Sequence, residues 1–257
     1  MRNPLIGGAL PDCPIQHVAD GVVAVGASDA LLANVALLLM PEDGDASILD
    51  KSPNARTVTN TGPVTIETDA ESPTGYAMDF GSETDLFYLT FSDDAGLKPG
   101  TGDFCIETIA YVNNTATGTN CMTGAASGGS TGVSFNFPWF FNTTSGPYAY
   151  PPAADMGCNN GGIATSESGV SWNRPAYHHW AWSRSGTTYR LFCDGNEEAT
   201  GTDSTNIGAS NWSQFLIGMW GLTNVRPFGG RVAMFRLTIG AARYTANFSP
   251  FALFPKV

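Results

Sequence analysis

The sequence predicts an all-β fold: one two-sheet antiparallel β-sandwich of the jelly-roll type, preceded by an extended N-terminal arm. Three observations carry this expectation. The 257 residues contain 30 glycines and 16 prolines, too many helix breakers for long helices. From Leu37 onward, short apolar runs alternate with turn residues at the spacing of a sandwich. A composition of 42% hydrophobic, 11% aromatic and 14% charged residues supplies a large core and excludes compositional disorder. A sandwich of this length forms a single domain.

Residues 1–36 read as an arm for attachment or assembly. Pro4, Pro11, Cys13 and Pro14 punctuate its start, and DGVVAVGASDALLANVA then runs without a clear period. The first residues lack a basic region followed by an uninterrupted apolar one, so no signal peptide is expected. No apolar run reaches the ~18 residues of a membrane span. The five cysteines (Cys13, Cys105, Cys121, Cys158, Cys193) form no CxxC pair and read as reduced thiols of a protein made in the cytoplasm.

The sandwich is assigned to residues 37–257. Residues 113–171 mix glycine-rich loops with the aromatic run FNFPWFF, which breaks at Pro138. Loops of that length serve as interaction surfaces. In YHHWAWSR, from Tyr177 to Arg184, alternation sends Tyr177, His179 and Ala181 one way and His178, Trp180 and Trp182 the other. TYRLFC follows after a short SGT turn, and Asp194-Gly195 marks a second hairpin. In GGRVAMFRLTI, strict alternation groups Val232, Met234, Arg236 and Thr238 against Ala233, Phe235, Leu237 and Ile239.

The net charge is −11, and the 12 basic residues include only Lys51, Lys98 and Lys256 as lysines. Phosphate neutralisation needs clustered cations, so nucleic acid is not an expected partner. Acidic residues concentrate between positions 40 and 107 and basic ones beyond 170. Such halves favour head-to-tail contact, which predicts a homo-oligomer.

Three motif groups, in order, resemble the laminin-G-like, concanavalin-A-like sandwich found in tailed-phage virion proteins. The first is LLLM at 37–40 with Asp50, Ser52, Pro53 and RTVTNTG at 56–62. The second is GSETDLFYLTF at 81–91 with GTGDFCIETIAYV at 100–112. The third runs from YHHWAWSRSGTTYRLFCDG at 177–195 through FLIG and FGGRVAMFRLT to ARYTANFSPFALFP at 242–255. The chain departs from the pattern at Ala233-Met234, where an Asp-Glu pair is usual, and at Cys105 and Cys193. The resemblance implies a virion protein exposed on capsid or tail, bound to other phage structural proteins, with host-surface glycans as a further class of partner and a trimer as the oligomeric state.

No catalytic set is expected. GGSTG, from Gly128 to Gly132, fits G-x-S-x-G, yet it lies in a Gly/Ser loop instead of a strand-turn-helix elbow. His178 and His179 are adjacent on a strand and face opposite sides, so they cannot share a metal. Glucanases of the superfamily carry E-x-D-x-E on one strand face, whereas ETIAYV offers Glu107 alone. Asp43, Asp45 and Asp50 crowd a rim loop and could serve either as hard-oxygen calcium ligands or as a solvated acidic loop. Trp139, Trp172 and Trp212 are the candidate platforms for stacking on sugar. Two functions follow: a non-enzymatic virion structural protein, or a glycan-binding adhesin module.

Overall fold

The structure is a computed structural model that describes residues 29–82, 84–92, 95–113, 119–126, 139–142, 155–158, 163–165, 176–202, 204, 206–207, 213–219, 221–222 and 227–251. Among these, helix is confined to two 3-10 turns at Leu32–Asn34 and Ala95–Leu97. The strands are β1 (Val35–Leu39), β2 (Thr59–Thr61), β3 (Thr65–Thr68), β4 (Tyr76–Asp79), β5 (Tyr88–Ser92), β6 (Phe104–Val112), β7 (Thr119–Ala126), β8 (Trp139–Asn142), β9 (Asp155–Cys158), β10 (Ile163–Thr165), β11 (Tyr177–Ser185), β12 (Thr188–Cys193), β13 (Asn196–Thr202), β14 (Gln214–Ile217) and β15 (Gly230–Ile239). Every pairing is antiparallel. The fold is an all-β, two-sheet antiparallel sandwich with almost no helix, as the sequence predicts.

The larger sheet runs β13-β12-β11-β6-β15-β4-β3, with β1 also paired to β15; the smaller runs β2-β5-β14-β7-β8, and β9 and β10 form a separate pair. Between the sheets lie Phe104, Ile106, Trp182, Leu191 and Leu237 of the larger and Leu89, Phe91, Met122, Phe215 and Ile217 of the smaller. Phe215 reaches Phe235 across the gap at 6.3 Å, and Phe104 meets the Trp182 ring edge to face at 5.1 Å. Burial of this apolar surface is the main stabilising force of the sandwich.

Turn chemistry sets the register of the β11-β12-β13 meander. Asp194 and Gly195 link Cys193 to Asn196 with both φ values positive, 49° and 79°, which is the backbone of a type I′ turn. A Cβ on Gly195 would stand 1.9 Å from the Phe248 carbonyl oxygen, so this glycine is also required by the segment that crosses above it.

Two expectations are corrected. Strict alternation along β15 fails because a bulge separates Val232, opposite Ala110, from Met234, opposite Ile109. The extra residue shifts the faces: Val232 joins Phe235 and Leu237 in the inner core, while Ala233 and Met234 pack outside with Val35, Leu38, Met40 and Ile109. In addition, β1 opens at Val35, inside the segment assigned to the arm, and is wholly buried against β15. Asn34 donates its side-chain amide to the Ile239 carbonyl at 3.1 Å. The apolar run ending in VALLL is therefore packed against the chain's own sheet. The rest of the segment read as an arm, residues 1–28, lies outside the described residues, as do GGSTG, Trp172 and Trp212.

Residues 241–251 cross the outer face of the larger sheet as a strap. Phe248 N–H donates to the Gly195 carbonyl at 2.9 Å, and its ring stacks on Tyr244 with centroids 3.6 Å apart. No helix among the described residues is long and apolar enough to cross a membrane.

Candidate functional site

The open side of the sandwich is where β2, an edge of the smaller sheet, hands over to β3, an edge of the larger. Both strands are largely exposed and rich in threonine, so their free edges present hydroxyl and backbone groups to water. The 41–58 loop passes in front of them. A half-open groove of about 650 Å³ results, lined by Asp45, Leu49, Thr57, Asn60, Thr65 and Ile66 among others. Leu49 is 52% exposed, an apolar contact surface beside the hydroxyl and amide groups. That mixture, at that size, suits a small polar ligand with apolar faces.

The acidic loop is placed at this groove, but its carboxylates do not converge. Asp50 is buried; one of its oxygens accepts the Leu38 and Ser52 N–H groups at 3.0 and 2.9 Å, the other the Ser52 hydroxyl and the Arg56 N–H at 2.9 and 2.8 Å. The D-x-S motif is thus a staple pinning the loop to β1. Asp45 accepts the Glu42 N–H at 2.9 Å and Lys51 at 2.8 Å. Burial opposes both charges, yet those contacts hold the Asp45 carboxyl below its ordinary value and the Lys51 ammonium above it. Asp43 accepts the Tyr76 hydroxyl at 2.9 Å. Each carboxylate is engaged by its own chain, and the expected shared calcium site is not assembled by these residues.

Of the stacking candidates, Trp139 opens β8; its side chain, like Trp172 and Trp212 as a whole, lies outside what is described. The structure brings forward different aromatics. Tyr111, Tyr177 and Arg231 stand side by side in register on β6, β11 and β15. The guanidinium lies 4.3 Å from the Tyr111 ring centre, and Asp69 accepts from both the Tyr177 hydroxyl at 2.6 Å and Arg231 at 2.5 Å. The pairings that join Tyr111 to Tyr177 and to Arg231 are non-local and invisible in sequence.

Glu107 is fully buried on the outer face of the larger sheet. It accepts from Arg236, from the Tyr244 hydroxyl at 2.7 Å and from His179 Nε2 at 3.2 Å. His179 Nδ1 in turn accepts the Phe251 N–H at 3.3 Å, so the imidazole proton sits on Nε2. Burial raises the Glu107 pKa, but the Arg236 charge and the His179 hydrogen bond outweigh it and hold the carboxyl far below the ordinary range. This carboxylate is held ionised, buried and covered by the strap, an arrangement that locks strap to sheet. His179 is buried beneath that strap.

His178 faces the other way, as alternation requires, and its Nδ1 lies 2.7 Å from Asp194 Oδ2. Cys105 and Cys193 are buried thiols. Burial, then the nearby charges of Asp194 and Glu198, push the Cys193 pKa upward.

Residues 84–241 match the protein family described as the concanavalin A-like lectin/glucanases superfamily. No curated protein matches the chain. Among solved structures, the binding domain of Paraclostridial Mosquitocidal Protein 1 aligns with a TM-score of 0.55 at 14% identity, covering 82% of this chain and 50% of that one. Domain 4 of a GH43 extracellular arabinanase from Geobacillus stearothermophilus, in complex with arabinotriose, aligns at 0.55 and 15%, covering 81% and 94%. Botulinum neurotoxin type C, whose route into cells depends upon interaction with two ganglioside molecules, aligns at 0.52 and 11%, covering 81% and 48%. The chain spans about half the length of the two toxin chains it matches. At these identities the likeness is one of fold.

Proposed function

The chain belongs to the concanavalin A-like lectin/glucanases superfamily, and we propose that it is a non-enzymatic module that binds carbohydrate at the groove between the free edges of β2 and β3. The groove itself carries this reading: Thr57, Asn60 and Thr65 line it beside the apolar Leu49 and Ile66, with the Asn60 amide bonded to the Val64 carbonyl and the Thr65 hydroxyl to Glu67, so that polar edge and apolar face meet as they do on a pyranose. The arabinotriose-bound arabinanase domain and the ganglioside-dependent neurotoxin support the ligand class by fold analogy. Isothermal titration against an oligosaccharide panel tests it. Leu49→Asp and Thr65→Trp alter exposed groove positions and should weaken binding by roughly tenfold or more, about 1.4 kcal/mol. Binding that is unchanged in both variants overturns the groove as the site.

The motif order from LLLM to ARYTANFSP favours a setting as well: display on the capsid or tail of a tailed-phage virion, where the module decorates the particle and meets host-surface glycans. The uneven charge of the chain supports a homo-oligomer, with a trimer as the proposed state. Cryo-EM of virions and light scattering of the purified protein test these two readings. The arm would be removed as residues 1–28, because Asp29 and β1 belong to the packed sandwich. The truncated protein should fold and fail to join particles; normal occupancy would overturn the arm as anchor.

A further inference from the structure

Three donors of different chemistry meet where the β12-β13 turn abuts β11. A ring nitrogen of His178, the Cys193 sulfur and an Asp194 carboxylate oxygen all lie within 4.8 Å of one another. They come from two neighbouring strands and a tight turn, so no sequence spacing announces them. Each is held by rigid backbone: His178 is paired with Ala110 and Cys193 with Trp180 inside the larger sheet, and Asp194 exchanges bonds with His179, accepting its N–H at 2.9 Å and donating its own N–H to its carbonyl at 2.8 Å.

We propose that His178, Cys193 and Asp194 form a zinc-binding site. Imidazole, thiolate and carboxylate together suit a tetrahedral borderline ion, whereas calcium and magnesium require oxygen throughout. With zinc–nitrogen and zinc–oxygen bonds of about 2.0–2.1 Å, the nitrogen–oxygen edge of a tetrahedron is about 3.3 Å. The His178–Asp194 contact of 2.7 Å need only open by about half an ångström to receive the ion. Asp194 can do so by turning one oxygen while the other stays on His179. His178 supplies its Nδ1 lone pair by carrying its proton on Nε2. Cys193 forms the zinc–sulfur bond as its thiol proton leaves to solvent, so one proton is released and nothing is oxidised or reduced. The site is reached from the Asp194 side, whose side chain is 37% exposed against 9% for His178. A bound ion would clamp the turn that carries the strap through the Gly195–Phe248 hydrogen bond.

The test is titration of the full, reduced chain with Co²⁺, followed by displacement with Zn²⁺. Co²⁺ should give tetrahedral d–d bands and a near-ultraviolet thiolate charge-transfer band, both erased by Zn²⁺. Cys193→Ser should abolish the charge-transfer band, while Cys105→Ser, which alters a buried thiol on the opposite face, should leave it intact. Should Cys193→Ser fail to fold, His178→Gln and Asp194→Asn should each weaken Co²⁺ binding by roughly 10- to 100-fold. Absence of the band in the wild-type protein, its persistence in Cys193→Ser, or unchanged affinity in both latter variants overturns the proposal.

Discussion

The two faces of the larger sheet are both buried, and by different means. On the inner face, Trp180, Trp182, Phe104, Leu191 and Leu237 pack against the smaller sheet. On the outer face of the same strands, Glu107, His179 and Arg236 are equally inaccessible, but they are joined by charge and hydrogen bonds to Tyr244, Arg243 and Asp29 from the strap and the start of the chain. The inner face is held by the removal of apolar area from water, which tolerates exchange among similar side chains. The outer face is held by mutual satisfaction of buried ions, which tolerates no missing member. One face specifies that the chain collapses, the other which segments lie on top.

The largest effect should come from breaking the ionic face. Glu107→Gln keeps the shape but leaves the buried Arg236 with Asp29, 3.4 Å away, as its remaining counter-charge, and should cost about 3–5 kcal/mol of unfolding free energy by urea titration. Replacing both partners, Glu107→Met with Arg236→Met, should cost less than Glu107→Gln alone; a larger loss in the double variant would refute the ionic account. The same face fixes the acid response. Arg243 and Arg236 hold Asp29, like Glu107, below its ordinary value despite burial. A depressed folded-state pKa contributes stability that is complete above the unfolded values of about 3.9–4.3 and is lost as pH falls below them. The melting temperature should accordingly be flat from neutral pH to about pH 5 and fall steadily below pH 4.

On the inner face, Leu237→Ala removes a fully buried side chain and should cost about 3 kcal/mol, through lost transfer energy and the cavity left behind. This cost should not change between pH 7 and pH 4, unlike that of Glu107→Gln. Parallel pH dependence in the two variants would mean that the faces are not separate systems.

The two faces were not equally legible. Alternation in YHHWAWSR set His178, Trp180 and Trp182 on one side of their strand, and the Asp194-Gly195 turn was evident because so few residues accept its backbone. The outer face was hidden because nothing in the spacing of Glu107, Arg236 and His179 shows that residues 241–251 return to bury them. The β15 bulge defeated strict alternation, since Val232, Ala233 and Met234 are all apolar and pairing alone shows where the extra residue falls. The intrachain partners of Asp43, Asp45 and Asp50, which engage these carboxylates, could not be seen in their spacing. The groove and the His178, Cys193 and Asp194 cluster depend on contacts between segments far apart in sequence or on neighbouring strands, which periodicity does not encode.

A smaller effect should follow from Tyr244→Phe. The Tyr244 hydroxyl donates to Glu107 at 2.7 Å, and burial together with the Glu107 charge holds that hydroxyl protonated. Removing it leaves the ring stack with Phe248 and the Arg236 contact in place. A loss of about 1.5–3 kcal/mol is expected, the range for a hydrogen bond to a charged group. A loss as large as that of Glu107→Gln would show that the strap, and not the ion pair, organises the face.

The smallest effect should come from Arg231→Gln, which compares two arginines on one strand. Arg231 and Arg236 both lie on β15, but the Arg231 side chain is 26% exposed and the Arg236 side chain 1%. Arg231 reaches Asp69, Glu71 and the Tyr111 face, so its removal forfeits one charge-assisted contact, a weak partner and a cation–π contact in a region that water enters. Asp69 keeps its bond from Tyr177 and is not stranded. The expected cost is about 1 kcal/mol, and it should shrink in 1 M salt, where the screening length falls to about 3 Å. Glu107→Gln should keep its full cost at the same salt concentration, because ions cannot screen a pair they cannot approach. Chemical denaturation by urea at low and high salt measures both. An Arg231→Gln cost of several kcal/mol that ignores salt would show that the exposed end of the outer face is organised like its buried middle, and the boundary between solvated and dry charge would have to move to the strand's end.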